Sequence, residues 1–224
     1  MATIHGVAGE WARVKGTVLG LWPLFIAVFA VGFSLSAACF LHLGFGLVLT
    51  VLALVGCGLA LQRGLRRVES FFKGAKGEER VSGLLACLPD SYHVFNDFVA
   101  GGTHVDHVVV GPAGVFSIET KCWAGRVTVE DGRILVNGVL PDRDPLRQAL
   151  REAELVSAQL KQKGWVGLVT PVLAFASDTF DAGIAQLDCG VVVINSRDLD
   201  GSFEYGRRTM ASDEADRLVG LMES

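Results

Sequence analysis

Between Lys15 and Arg63 the chain has no lysine, arginine, aspartate or glutamate, and only His42 in that interval can titrate. An uncharged interval of that length excludes both a disordered chain and a uniformly soluble one. The five cysteines form no CxxC, no zinc-ligand spacing and no extracellular disulfide framework. Cys39 and Cys57 lie in the apolar interval, while Cys87, Cys122 and Cys189 are scattered beyond it. Reduced thiols in a cytosolic compartment are the simple reading. Phosphate loops are also missing. Gly74-Ala75-Lys76-Gly77-Glu78 lacks the Walker spacing and its Lys-Ser/Thr pair, and no GxGxxG follows a strand. No nucleotide cofactor is expected. The absence of GxSxG removes support for a serine-hydrolase elbow.

The chain of 224 residues has a formal net charge of −4, but the average describes no part of it. Residues 74–224 hold 14 Lys and Arg against 22 Asp and Glu, a net of −8. Residues 63–73 hold Arg63, Arg66, Arg67 and Lys73 against Glu69, a net of +3. An acidic globular part therefore follows a basic collar and an apolar interval.

As one helix the apolar interval would be about 68 Å long at ~1.5 Å per residue, more than twice the ~30 Å hydrocarbon core. It divides into two spans, about 18–38 and 44–61, with a turn over Cys39–Leu43. Lys and Arg flank the outer ends and are absent from the turn, which puts both termini and the globular domain in the cytoplasm of an inner (plasma) membrane protein. Trp11 and Trp22 fall near the expected interface, and Pro23 in the first turn of the first span. A buried hairpin in a soluble core would interleave polar residues, which are lacking here. A cleaved signal with the lipobox-like Ser36-Ala37-Ala38-Cys39 would still leave the second span as an anchor. The collar sets topology and meets lipid headgroups, each charge contributing about 1 kcal/mol near an anionic leaflet; DNA contact is the alternative use. The expected organisation is a cytoplasmic segment 1–16, two membrane helices within 17–61, a connector 62–76 and a globular domain 77–224. Small-residue pairs such as Gly44/Gly46 and Gly56/Gly58 allow close helix packing without choosing a partner.

Within the domain, Val81, Leu84, Leu85 and Leu88 form one stripe of a helix over 77–88, which Pro89-Asp90 stops. Strands are predicted over 92–99, 105–110, 115–122, 169–175 and 191–194. Residues 126–129 and 134–136 pair as a hairpin. Asp144 opens a helix to about Lys163, with Pro145 in its first turn and Gly164 past its end. Ser212 caps a last helix over 213–222. This order predicts an α/β domain around a mixed sheet.

The chemistry-bearing residues are acids in apolar surroundings. Asp106 opens the run Val105-Asp106-His107-Val108-Val109-Val110, and Glu119 and Lys121 close the strand 115–121. Residues two apart share a strand face, so Glu119 and Lys121 project together, and an adjacent strand brings Asp106 within reach of the same ion. Mg²⁺ commonly takes one or two carboxylates plus waters and substrate phosphate. A lysine on that face would act on a metal-bound water or on transition-state charge. The competing reading makes Glu119 and Lys121 the solvated end of a strand and Asp106 a turn residue. His104 and Asp106 share a face while His107 points away, which disfavours a three-ligand zinc site and leaves His107 as a core histidine.

Taken together, Gly77-Glu78 on a helix, Asn96-Asp97, the run from Val105 through Gly111-Pro112-Ala113-Gly114 to Phe116, and Ile118-Glu119-Thr120-Lys121 followed by Trp123 and Gly125 resemble the NERD (nuclease-related) domain of the PD-(D/E)xK superfamily. The resemblance covers about residues 74–195. It implies a restriction-endonuclease-like mixed central sheet flanked by helices, here preceded by a transmembrane helical hairpin. It also implies a nuclease activity dependent on Mg²⁺ or Mn²⁺. Carried over, Glu78 is the helix acid, Asp106 the central acid, Glu119 and Lys121 the ExK pair, and Gln148 the glutamine of the following helix. Asp106, Glu119 and Glu78 would bind metal, Lys121 would act on the attacking water, and Gln148 would orient that water or the lysine. Cys122 departs from the family, which usually has Asn there. The implied partners are the lipid bilayer and nucleic acid, DNA first. The alternative is a catalytically silent nuclease-fold binding or scaffold protein at the membrane. The −8 charge favours it, because nucleic-acid affinity rests on phosphate neutralisation.

Overall fold

The computed structural model describes residues 1–40, 43–177, 179–180, 182–205 and 210–223. Leu41 and His42 of the expected turn lie outside the described residues, as does the side chain of Arg67 in the collar. The chain divides into two units, Trp11–Lys73 and a second made of Met1–Glu10 with Gly74–Ser224.

In the first unit, helix α1 (Glu10–Phe40) and helix α2 (Leu43–Leu85) contain the two described helices long and apolar enough to cross a membrane. Most side chains of both apolar windows are exposed, as they would be toward lipid rather than in a soluble core. Gly46 closes one end of the hairpin, since a Cβ there would stand 2.2 Å from that of Ala38. Thr50 Oγ1 donates to Ser34 Oγ at 3.0 Å, joining the two helices. A Cβ on Gly56 or Gly58 would meet nothing. The close contact of the hairpin is therefore at Gly46. Pro23, expected in a first helical turn, lies inside α1 because that helix begins at Glu10. The connector and the expected helix 77–88 are one continuation of α2, because no proline interrupts residues 43–85. The helix closes through Cys87 N–H to Leu84 O and Leu88 N–H to Leu85 O.

The second unit is built on a seven-stranded mixed sheet, in the order β1 (Thr3–His5), β2 (His93–Ala100), β3 (Thr103–Gly111), β4 (Gly114–Lys121), β7 (Val169–Phe175), β9 (Val192–Asn195) and β8 (Ile184–Gln186). β2, β3 and β4 form an antiparallel meander, and β4 pairs in parallel with β7 and β7 with β9. Strands β5 (Val127–Glu130) and β6 (Arg133–Val136) form the expected separate hairpin. Val81 and Leu85 of α2 cover one sheet face with Val109, Phe116, Ile118 and Val172. Helices α3 (Pro145–Gln162) and α4 (Ser212–Glu223) cover the other, with Val156, Leu160, Leu218 and Met222 against Val108, Val110 and Val115. Asp144 caps α3 by accepting from the Leu146 and Arg147 amides at 3.0 and 3.3 Å. The expected mixed α/β architecture is the one observed.

The sequence reading misses three elements: β1, β8 and the 3₁₀ segment Ser196–Tyr205. The N-terminal segment, expected only as a lead-in to the membrane, supplies an edge strand parallel to β2. A three-residue strand has no periodicity to detect, and its existence rests entirely on a partner about 90 residues away.

Candidate catalytic site

The C-terminal end of β4 carries Glu119 and Lys121 on the sheet face covered by α3, opposite the face of Phe116 and Ile118. Lys121 Nζ donates to Glu119 Oε1 and, at 2.9 Å, to Gln148 Oε1 on the first turn of α3. Gln148 Nε2 in turn donates to Glu152 Oε1 at 2.9 Å. Asp106, one residue before the His107↔Ile118 pair of β3 and β4, takes the Thr120 amide on its Oδ2 at 2.7 Å. Glu78, on α2, lies near enough to the same cluster to feel the charges of Glu119 and Lys121. Hydrogen bonds thus link Glu119, Lys121 and Gln148, Asp106 stands beside them on the Thr120 amide, and Glu78 lies near enough to feel the Glu119 charge.

Glu152 is the residue that sequence reasoning missed. It is 3 % exposed, as is Glu119. The signal was an acid four residues after Gln148, interrupting the buried stripe Leu146, Ala149, Ala153, Val156 and Leu160. Asp97, on a left-handed backbone position of β2, also raises the local negative potential felt by Glu78.

Four enclosed carboxyls face one ammonium, and the electrostatics follow from that imbalance. Burial is the main cause of the shifts at Asp106, Glu78 and Glu152. Asp106 is held well above the carboxylate range by burial and then by Glu119, Glu78 and Glu152, against the Thr120 amide. Its carboxyl is enclosed although the rest of the residue keeps some exposure. Glu78 is raised to about 7 by burial and then by the charges of Asp97 and Glu119, with the Gly9 amide and Lys121 opposing. Glu152 is raised to about 9 by burial and by the Glu119 carboxylate beside it; Gln148 and Lys121 oppose. Protons neutralise what one lysine cannot.

The donor set is oxygen only, which suits a hard divalent cation. Glu152 Oε2 is buried without a hydrogen-bond partner among the described residues, and surplus negative charge surrounds it. Among the described residues no three His, Cys, Asp or Glu side chains converge as a ready-made metal cage. The cluster therefore fits an ion held by one or two carboxylates with waters and phosphate, and does not fit a closed structural site. His104 does not join it; its Nδ1 stands 3.9 Å from Asp97 Oδ1. His107 is fully buried, with Nδ1 2.7 Å from Asn96 Oδ1, and burial lowers its pKa to about 3. It is a core residue beside the site.

The glycine before Glu78 has a structural reason at Cys122. Gly77, one residue before Glu78, sits so close to it that a Cβ would lie 2.8 Å from the Cys122 Cβ and 3.3 Å from that of Ala176. Alanine at position 77 would gain about 1 kcal/mol of helix propensity. Overpacking against an immobile Cβ costs about 1–3 kcal/mol. Gly77→Ala is therefore expected to lower stability on balance and to displace Glu78, seen as a lower Tm with weaker divalent-ion stabilisation. A Tm at or above that of the wild type would show that α2 does not approach β4 this closely.

The fold and this acid–lysine cluster define an α/β domain of nuclease-like type. Residues 73–176 match the family model of the nuclease-related domain (NERD). No curated protein and no solved structure matches the chain.

Proposed function

We propose that the protein is a membrane-anchored, divalent-metal-dependent phosphodiesterase that cleaves nucleic acid, DNA first. The observation that carries this reading is the Asp106, Glu119 and Lys121 cluster, completed by Gln148, inside a nuclease-related domain. Asp106 and Glu119 would hold Mg²⁺ or Mn²⁺, with Glu78 helping to position it. Such an ion, when bound, polarises a phosphoryl oxygen and makes water a nucleophile near neutral pH. Lys121 Nζ, fixed between Glu119 and Gln148, directs an N–H at the attacking water or at the charge growing on a phosphoryl oxygen. Glu152, holding its proton at neutral pH, orients Gln148 and through it the lysine.

The polynucleotide part of the reading is supported by three arginines on α3 and at its start. Arg147 and Arg151 are exposed one turn apart, about 6 Å along the axis of α3, and exposed Arg143 precedes the helix. They give an acidic domain a local cationic row on the helix that carries Gln148 and Glu152. Reversing Arg147 and Arg151 to Glu is expected to raise KM for an oligonucleotide at least tenfold. It should also flatten the dependence of log Kd on log salt by about 0.7–0.9 per lost contact. Hydrolysis of a small aryl phosphodiester should not change, and an unchanged oligonucleotide KM would remove this row from the substrate path.

The anchor within 17–61 and the cytoplasmic placement belong to the same proposal. Residues 1–10 share a sheet with residues 74–224, which supports an even number of crossings between them. A reporter fused after Ser224 should be cytoplasmic; a periplasmic signal would overturn that topology.

The test is cleavage of labelled DNA by the full chain in detergent micelles with Mg²⁺ or Mn²⁺, beside Asp106→Ala and Lys121→Ala. Wild-type activity lost in both variants supports the enzyme. Equal activity in all three would reveal a contaminant. The −8 domain charge keeps a silent, scaffold-type reading in view, and wild-type protein that neither cleaves nor gains stability from Mn²⁺ would favour it.

A further inference from the structure

We infer that His5, His93 and Glu223 form an acid-released latch that fastens the N-terminal strand β1 to the edge of the sheet. The latch stands apart from the acid cluster and does not depend on the metal reading.

β1 is three residues long, and its Thr3 and Ile4 side chains stay exposed. At its start the Ala2 and Thr3 amides donate to Ala86 O at 3.3 Å and Tyr92 O at 3.0 Å. The parallel register sets Thr3 beside His93 and His5 beside Phe95. Side-chain fastening is concentrated at His5. Its ring lies flat on Phe95, with centroids 4.3 Å apart and planes 9° from parallel. Its Nδ1 stands 3.1 Å from Oε1 of Glu223, the last residue of α4, and its Nε2 stands 3.2 Å from His93 Nδ1. The two imidazole centroids are 5.5 Å apart, with planes 24° from parallel. That separation exceeds the nitrogen–nitrogen distance by no more than the two ring radii, so the rings meet end-on. An end-on nitrogen–nitrogen contact is one hydrogen bond and holds one proton.

The chain Glu223–His5–His93 tolerates at most one added proton. With both rings neutral, His5 Nδ1–H donates to the Glu223 carboxylate and His93 Nδ1–H donates to His5 Nε2. With one proton added, His5 is an imidazolium that donates at both nitrogens, to Glu223 and to His93 Nδ1. A second proton leaves an N–H on each facing nitrogen, two like charges with no acceptor between them. Glu223, whose side chain is 55% exposed, is the single carboxylate paired with this chain among the described residues, and it cannot compensate both rings. The other groups packed here do not titrate: Phe95 on β2, Val110 opposite His93 on β3, Met222 of α4 and Ala86 just past α2.

Once β1 is undocked, each ring takes its own proton, near pH 6.5 for an ordinary imidazole. In acid the undocked state therefore binds one proton more than the docked one. The docking constant falls by up to tenfold per pH unit below that point. The latch is closed while the pair carries at most one added proton and opens as pH falls. Opening frees β1 and bares the outer edge of β2. Phenylalanine at position 5 would keep the contact with Phe95 at every pH; histidine makes the contact conditional on charge.

The test is hydrogen–deuterium exchange of the full chain in detergent micelles, read as protection relative to the intrinsic rate at each pH. Residues 2–5 should lose at least tenfold in protection between pH 7 and pH 5, while residues 105–110 of β3 keep theirs. His5→Phe should hold the protection of β1 level over that range. Glu223→Gln, at an exposed position that spares the fold, should move release to higher pH, because the first imidazolium loses its counter-charge. Wild-type protection at residues 2–5 that stays level from pH 7 to pH 5 would overturn the inference. So would a His5→Phe protein that releases β1 as the wild type does, or Glu223→Gln releasing at the wild-type pH. Loss of protection at residues 105–110 together with residues 2–5 would be general acid unfolding and would overturn it equally.

Discussion

Glu152→Gln should stabilise the ion-free protein by on the order of 3 kcal/mol at pH 7, and the gain should grow toward pH 9. Glu152 is buried, and its pKa is raised from 4.5 to about 9. A carboxyl raised in this way contributes stability that is fully present below the unfolded value of 4.5 and is lost as pH climbs to about 9. Over the interval from 4.5 to 7 that loss is about 1.4 kcal/mol per pH unit. Glutamine is neutral at every pH and keeps an acceptor for Gln148 Nε2 at 2.9 Å, so the gain is not offset by a lost hydrogen bond. Chemical denaturation from pH 5 to 9 would read it as a flattened profile. Saturating Mn²⁺ should narrow the gap, because a cation lowers the pKa of carboxyls around it. A variant less stable than the wild type at pH 8, or one with the same pH slope, would mean that Glu152 is ionised in the folded protein. The expected gain, by contrast, would make the natural residue one of those retained at a cost in stability for its role in a site.

Lys121→Ala should separate metal binding from catalysis. The lysine is the cation paired with Glu119, which is almost wholly buried. Removing one partner of a buried pair typically costs about 3–5 kcal/mol, since the remaining charge loses its compensation. The variant should therefore melt well below the wild type without a divalent ion. With the ammonium gone, an added cation meets more uncompensated negative charge, so Mn²⁺ should bind at least as tightly as before and restore much of the lost stability. Cleavage of DNA should nevertheless fall about 10²–10³-fold, the usual effect of removing a group that stabilises developing charge. Lys121→Arg should not rescue the rate, because a planar fork cannot occupy the position that one ammonium takes between Glu119 and Gln148. Loss of Mn²⁺ affinity in Lys121→Ala would instead make the lysine a prop for the acids.

Much of this site was legible before the fold. Period two along 115–121 puts Glu119 and Lys121 on one face, and the Asp144-Pro145 start of α3 puts Gln148 in a first turn. Both placements follow from local geometry, which a sequence carries directly. Cys122 was legible only as a departure from the family. The structure adds that its Cβ closes on Gly77, a residue of α2 far away along the chain. Glu152 looked like an ordinary charge on a helix until the end of β4 met that helix.

The sequence by itself determined the uncharged apolar interval and its two helices, the strand and helix pattern of the domain, and which acids and which lysine share faces. Each of these follows from the solvent preference of side chains repeated at short range. Only the tertiary structure decided that residues 3–5 leave the lead-in and join the sheet, and that Glu152 is buried among carboxyls. Those outcomes depend on which distant surfaces close over a group and withdraw it from water. A carboxyl's charge state is set by that enclosure, and no spacing in the chain encodes it.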